Sequence, residues 1–230
     1  MIARPGHHVR SVPEDLIARL LEIEVSALSD ADKGLPVVDP GIRAIVADVR
    51  MAGPAVTVVA QDDHLPVLSA LDAARPGDVL VIVNQGGSRA VVGELFATEA
   101  KRRGLAGIVV DGLCRDVAGL RRLGLPFYAR GSVPASGSTA SRTAPGQRLR
   151  CGGVDVAPGD IVFGDDDGLL IAGPERIAAA LDAGEAIARA ERAMLTAMAD
   201  GRSLHELTNY AEHIARLDDG EESRLEFRVD

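Results

Sequence analysis

The chain has 230 residues, 47% of them apolar, 26% charged and 3% aromatic with no Trp, and a formal net charge of −9. That length and apolar content suit one compact domain with a sizeable core and exclude wholesale disorder. Acidic residues outnumber basic ones by 34 to 25 and stacking aromatics are scarce, which argues against a broad phosphate-binding surface or a single-strand nucleic-acid platform.

From the N-terminus, Met1 to Val12 carries Arg and His with no apolar run after it, so no secretory signal is expected, and no window approaches the roughly 18 apolar residues of a membrane span. Two cysteines, Cys114 and Cys151, make neither a disulfide framework nor a zinc site, and a cytoplasmic protein is expected. Ser11 and Glu14 have the spacing of a capping box, and Leu16, Ile17, Leu20, Leu21 and Ile23 recur at helical period, which predicts a helix over residues 12–28. Asp30 to Met51 is broken by Gly34, Pro36, Pro40 and Gly41 and reads as an irregular connection around Ile42 to Val46. Ala55 to Ala60 is the first clear strand, Pro66 to Ala74 a short helix, and Arg75-Pro76-Gly77-Asp78 a turn.

Val79 to Val83, the loop Asn84 to Ser88, a helix to Arg103, the stop at Gly104 and the strand Gly107 to Asp111 form a strand–helix–strand unit. Such alternation implies parallel strands joined by a right-handed crossover. A short helix ending near Gly124 and a strand Pro126 to Ala129 follow, then a Ser/Thr-rich surface loop from Gly131 to Gly146. From Cys151 the texture turns to short strands bounded by Gly, Pro and Asp, which predicts hairpins packed on the α/β half. Pro174 opens a helix to about Ala199, Ser203 and Glu206 start a last one, and Asp218 to Asp230 is a charged, partly disordered tail. The expected organisation is a domain over residues 1–200 and a C-terminal helix and tail over 201–230.

Residues just beyond the carboxyl ends of neighbouring parallel strands share one sheet edge, where α/β sites form. That places Glu94, at the start of the crossover helix, near Arg115 and Asp116, which follow the second strand. A structural role is open for them: Asp116 capping the next helix and Arg115 pairing with Glu94. A functional role is favoured by the preceding loop, where Gly86 and Gly87 permit close backbone approach and the helix start offers N–H groups to an anion such as a substrate carboxylate. The loop is neither a Walker loop nor a Rossmann fingerprint.

These residues resemble a known family, the class II pyruvate aldolases of the 4-hydroxy-4-methyl-2-oxoglutarate/4-carboxy-4-hydroxy-2-oxoadipate group within the RraA-like superfamily. The resemblance lies in Gly93-Glu94-Leu95, the run Ala100 to Gly112, Arg115-Asp116 and Gly124 to Gly131, and continues through Gly152-Gly153-Val154, Pro158-Gly159-Asp160 and Gly164 to Gly168. It implies a fold of the α/β class, a swivelling β/β/α domain with C-terminal helices, assembled as homotrimers or hexamers. It further implies that Asp116 binds Mg²⁺ or Mn²⁺ directly, that Arg115 stabilises the 2-oxo oxygen as it becomes an enolate, and that Glu94 orients a metal-bound water. Gly93, Glu94, Leu95 and Phe96 would line the pyruvate pocket with Arg115, and Glu191 of a neighbouring subunit would reach the metal through water. The implied reaction cleaves a 4-hydroxy-2-oxo dicarboxylate to pyruvate, with oxaloacetate decarboxylation on the side and no organic cofactor, nucleic acid or membrane involved.

The residues alone support a mechanism without a Schiff base, since the chain has only Lys33 and Lys101, one in a turn and one on a charged helix face. Cys114 reads as a buried strand residue, Asp165-Asp166-Asp167 as a hairpin turn, and His64 as an exposed helix-capping position that could border the pocket. His7, His8, His205 and His213 show no mutual ligand spacing. Arg130 and Arg142 are candidates for a second substrate carboxylate without spacing that singles either out. The rival reading is a non-catalytic RraA-type regulator that binds ribonuclease E, against which the presence of Asp116 speaks.

Overall fold

The protein, analysed as a computed structural model, is described over residues 15–228. Its elements in chain order begin with α1 (Leu16–Leu20), α2 (Val25–Ala31), β1 (Arg43–Ala44), β2 (Met51–Val59), α3 (Leu65–Ala73) and β3 (Val79–Val83). There follow β4 (Ala90–Val92), α4 (Glu94–Arg102), β5 (Gly107–Cys114), α5 (Val117–Leu123) and β6 (Phe127–Ser132). The C-terminal part holds β7 (Leu149–Cys151), β8 (Val154–Val156), β9 (Ile161–Asp165), β10 (Gly168–Ala172), α6 (Pro174–Ala199) and α7 (Tyr210–Asp218).

An eight-stranded mixed sheet runs in the order β1-β6-β5-β3-β2-β9-β10, with β4 beside the carboxyl end of β5. β2, β3, β5 and β6 are mutually parallel, and β1, β9 and β10 add antiparallel margins. The central strands read as continuous apolar runs because both sheet faces are covered. Alternate residues divide between two cores: Leu80, Ile82, Ile108, Val110 and Phe127 pack under α3, α4 and α5. Val79, Val81, Val109 and Tyr128 face the β7–β8 hairpin. A third core lies between β9–β10 and the helices α1, α2 and α6.

Four sequence expectations change. The single helix over 12–28 is two helices, because Glu24 is extended (ψ 151) and the first N–H of α2, on Val25, donates to the buried Asp165 carboxylate at 2.9 Å. That cap comes from 140 residues away and leaves no local signal; the Ser11–Glu14 capping pair lies outside the described residues. The strand expected from Ala55 starts at Met51, since β2 pairs with β9 through Pro54 and with β3 from Ala55 onward. Pro54 thus stands where the strand changes partners. Ser203 and Glu206 do exchange bonds (Ser203 N to Glu206 Oε2 at 2.7 Å), but they close only a turn, and the helix begins at Tyr210. The tail expected to be partly disordered folds back instead: the Arg228 N–H donates to Leu207 O at 2.7 Å and Glu226 N to the Asn209 side chain at 2.7 Å. The two hairpins, β7–β8 and β9–β10, are present as predicted.

No described helix is long and apolar enough to cross a membrane. At the change of partners in β2, a Cβ built on Gly53 would come 2.2 Å from the carbonyl oxygen of Gly77, a backbone atom that cannot step aside. Gly53→Ala is therefore expected to lower stability by about 1–3 kcal/mol through overpacking, read as a shift in the denaturant midpoint at unchanged slope.

Candidate active site

β5 ends at Cys114, and the chain then leaves the sheet through Arg115 and Asp116. The Arg115 N–H donates to Val92 O at 3.0 Å, which keeps the turn against the end of β4. Asp116 adopts the left-handed conformation (φ 61, ψ 36), open to few residues besides Gly, Asn and Asp. Its carboxylate does not cap α5, the helix it precedes. Asp116 Oδ2 instead accepts the first N–H of α4, from Glu94, at 3.2 Å, and the Arg115 Nε lies 3.6 Å from the same oxygen. A carboxylate at a helix N-terminus is favoured by the free N–H groups and the helix dipole there.

Gly93 makes this approach possible, because a Cβ at that position would sit 2.4 Å from Asp116 Oδ2 and 2.9 Å from Arg115 Cγ. The Glu94 carboxylate takes another direction, lying against Gly119 of α5 and 3.5 Å from Arg122 Nη2. The expected Arg115–Glu94 pair is thus replaced by Arg115–Asp116 and Arg122–Glu94. Arg115, Asp116 and Val117, beyond the end of β5, and Ser132, Val133 and Pro134, at the end of the neighbouring β6, line a cleft of about 320 Å³. Leu95 is exposed, and Leu95 and Phe96 belong to the first turn of α4, where N–H groups have no intrahelical acceptor.

The Gly-rich loop departs from expectation. Its donors are taken by the chain's own Asp62: Ser88 N and Arg89 N reach that carboxylate at 3.1 Å each and Asn84 Nδ2 at 2.9 Å. The Asn84 side chain, foremost among these donors, holds the Asp62 carboxyl below its ordinary range, so the donors of Asn84, Ser88 and Arg89 are already engaged by an internal carboxylate. His64 is also corrected: it is 7% exposed rather than a surface cap. Asp63 caps α3 in its place, through Leu65 N at 2.8 Å.

The Ser/Thr-rich segment is a strap tied down beside the cleft. Ala90 N donates to Ala135 O at 2.8 Å, Gly137 N to Ala90 O at 3.1 Å, and Ser138 Oγ, Ala140 N and Ser141 N all donate to the buried Asp63. Of the two arginines considered for a second carboxylate, Arg130 is engaged by Asp111 at 2.5 Å and Asp39 at 3.2 Å, and Arg142 is exposed.

Glu191 sits in the C-terminal half of α6 and, among the described residues, makes no hydrogen bond or ion pair with Glu94, Arg115 or Asp116 within the chain. Burial pushes the Cys114 thiol up to about 11, as suits an inert core residue. Asp165 to Asp167 form the β9–β10 turn. The Lys101 amine donates to Leu123 O and Lys33 pairs with Asp30, so neither lysine faces the cleft.

Among the described residues no three His, Cys, Asp or Glu side chains converge as a metal cage. Asp116 is half exposed, with one oxygen engaged by Glu94 N and the other without a protein donor. A single hard oxygen on a solvated cleft suits an ion such as Mg²⁺, which keeps most of its waters, and does not suit a dehydrated site.

The profile of the RraA-like family, described as Aldolase/RraA, matches residues 25–171. The chain belongs to the RraA-like family. A relative from Halalkalibacterium halodurans is 37% identical over 159 residues, 68% of this chain and 76% of its own, and bears the name "Putative 4-hydroxy-4-methyl-2-oxoglutarate aldolase". Among solved structures, an uncharacterized protein from Pseudomonas syringae superposes with a TM-score of 0.76 at 26% identity, over 85% of this chain and 97% of its own. The RNA-processing inhibitor RraA from Thermus thermophilis gives 0.61 at 28% identity, over 65% and 92%. The RraA-like fold expected from the sequence is the fold observed, and the family includes proteins named for a lyase and for RNA-processing inhibition.

Burial alone would raise the Asp63 carboxyl, yet the donors from Ser138, Ala140, Ser141 and Leu65 outweigh it and hold the group far below the usual carboxylate range. A depressed folded-state value means that the stabilisation is complete above the unfolded value of about 3.9 and is lost as the pH falls below it. Asp63→Asn in this RraA-like chain should thus be less stable than the parent at neutral pH, with the gap narrowing between about pH 4 and pH 2 in denaturant midpoints.

Proposed function

We propose that the protein is a divalent-metal-dependent class II aldolase that cleaves 4-hydroxy-4-methyl-2-oxoglutarate, or a related 4-hydroxy-2-oxo dicarboxylate, to pyruvate, and that decarboxylates oxaloacetate through the same enolate. The observation that carries this reading is the juxtaposition of the Arg115 guanidinium and the half-exposed Asp116 carboxylate on one wall of a substrate-sized cleft. The name borne by the Halalkalibacterium relative supports the aldol cleavage.

In the reaction the C4 hydroxyl loses its proton, the C3–C4 bond breaks, and its electron pair becomes the enolate of pyruvate, which is then protonated at C3. The C4 fragment leaves as a second 2-oxo acid. Arg115 faces the C2 oxygen, where negative charge develops, and its planar donors strengthen their hold as that charge grows. Asp116, held by Glu94 N, would carry Mg²⁺ or Mn²⁺, which when bound acts as a Lewis acid on the 2-oxo and carboxylate oxygens. Glu94, whose carboxylate lies against Gly119, would take the C4 hydroxyl proton through a water. The backbone of Gly93 to Phe96 would receive the substrate carboxylate at the helix start. Glu191 would join from a neighbouring subunit in a homotrimer or hexamer.

The Thermus likeness favours a second reading, a regulator that restrains RNA processing by binding ribonuclease E. Pyruvate release from 4-hydroxy-4-methyl-2-oxoglutarate, with Mg²⁺ or Mn²⁺ and again with chelator, separates the two. Chelator-sensitive release supports the aldolase, release from oxaloacetate alone limits the reading to enolate chemistry, and no release from either favours the regulator. Asp116→Asn keeps a residue that tolerates the left-handed backbone and should lower kcat/KM by at least about 100-fold with little change in melting temperature. Gly119→Ala should displace the Glu94 carboxylate, which a Cβ would meet at 2.2 Å, and lower kcat more than it raises KM.

A further inference from the structure

His64 lies outside the cleft, yet it joins the two structures that form its sides. Its Nδ1 is 2.9 Å from Val91 O and its Nε2 is 2.8 Å from Ser136 Oγ. A carbonyl can only accept, so Nδ1 carries a proton, and the Ser136 hydroxyl is the hydrogen-bond partner of Nε2. The imidazole thus bridges the two segments through both ring nitrogens. Val91 belongs to β4, two residues before Gly93 and the start of α4. Ser136 belongs to the strap, two residues after Pro134 of the cleft lining. The ring also stacks on Phe96 of α4, with centroids 5.4 Å apart and planes 30° apart. Arg89 adds a weaker tie through Nη1 to Ser136 O at 3.1 Å.

We propose that His64 is a positioning residue that, beside the backbone bonds from Ala90 N to Ala135 O and from Gly137 N to Ala90 O, adjusts the placement of the strap and the Ser132–Pro134 wall relative to the α4 start, and thereby the fit of the substrate's distal end. The proposal rests on the aldolase reading for its kinetic test. With the 2-oxo end held at Arg115, the C4 substituents and far carboxylate extend toward that wall. Oxaloacetate is one carbon shorter along its chain than the hydroxy acid and carries no C4 methyl or hydroxyl, so it asks less of the wall.

Three variants divide the bridge. His64→Phe keeps a ring against Phe96 and loses both hydrogen bonds. His64→Gln places an amide near the Nε2 position and can restore the Ser136 bond, whereas His64→Asn places one near Nδ1 and can restore only the Val91 bond. The expected result is that His64→Phe raises KM for 4-hydroxy-4-methyl-2-oxoglutarate about 10-fold, with KM for oxaloacetate and both kcat values within about twofold. His64→Gln should recover most of that KM and His64→Asn should not. Equal changes for both substrates, or recovery by neither amide, would mean that His64 only supports the fold and would overturn the proposal. Should the unsubstituted protein release no pyruvate from either acid, the aldolase reading fails alone. Positioning is then read by amide hydrogen exchange, where faster exchange in His64→Phe at both Glu94 to Phe96 and Ala135 to Gly137 upholds it, and unchanged exchange at either segment overturns it.

Discussion

The hydrogen bond from Glu94 N to Asp116 Oδ2 joins two successive strand-to-helix turns, and the geometry of the cleft depends on it. For the bond to form, Gly93 must lack a side chain, Asp116 must accept a left-handed backbone, and β4 must lie beside the end of β5 so that Val92 O takes the Arg115 N–H. Each requirement is local and each falls on a different segment. Together they turn the Asp116 carboxylate back over α4 and leave Arg115 beside it at the mouth of the cleft. The same bond decides what Asp116 can offer a ligand, since one oxygen is committed to the backbone and the other has no donor among the described residues.

Elsewhere the irregular parts of the chain are ordered by buried acids. Asp165 caps α2, Asp63 gathers the strap, and Asp111 takes Arg130, Gln85 and the N–H of Gly152 in the β7–β8 turn. A buried carboxylate is tolerated only where several donors satisfy it, and in return it fixes every segment that supplies one. The protein can therefore carry long stretches without regular structure and still present defined walls to a ligand.

The parallel unit, both hairpins and the long C-terminal helix were legible because burial on two faces, Gly/Pro/Asp turns and helical period leave local marks, as in Val79 to Val83 or Gly107 to Val110. Arg115 and Asp116 could be placed on the sheet edge by topology alone, and the family resemblance supplied their proposed roles. The break in the first helix could not be read, because its cause is Asp165, far along the chain. Nor could the sealing of the Asn84–Ser88 loop, since whether glycines and N–H groups make an anion site depends on which side chain arrives there, here Asp62. His64 departs from expectation for a related reason: Asp63-His64 before a helix looks like an exposed cap, and the strap that folds over it makes it interior. Such pairings between distant segments are set by tertiary packing and leave no period or spacing.

The left-handed backbone at residue 116 also restricts how this position can change over evolutionary time. Most side chains would meet a steric cost of about 1–2 kcal/mol there, so the residues that fit without strain are Gly, Asn and Asp itself. A lineage that gave up the charge while keeping the turn would drift to Asn or Gly rather than to Ala or Glu. In descendants of such a chain, a discarded site would be written as Arg-Asn or Arg-Gly on an otherwise unaltered fold.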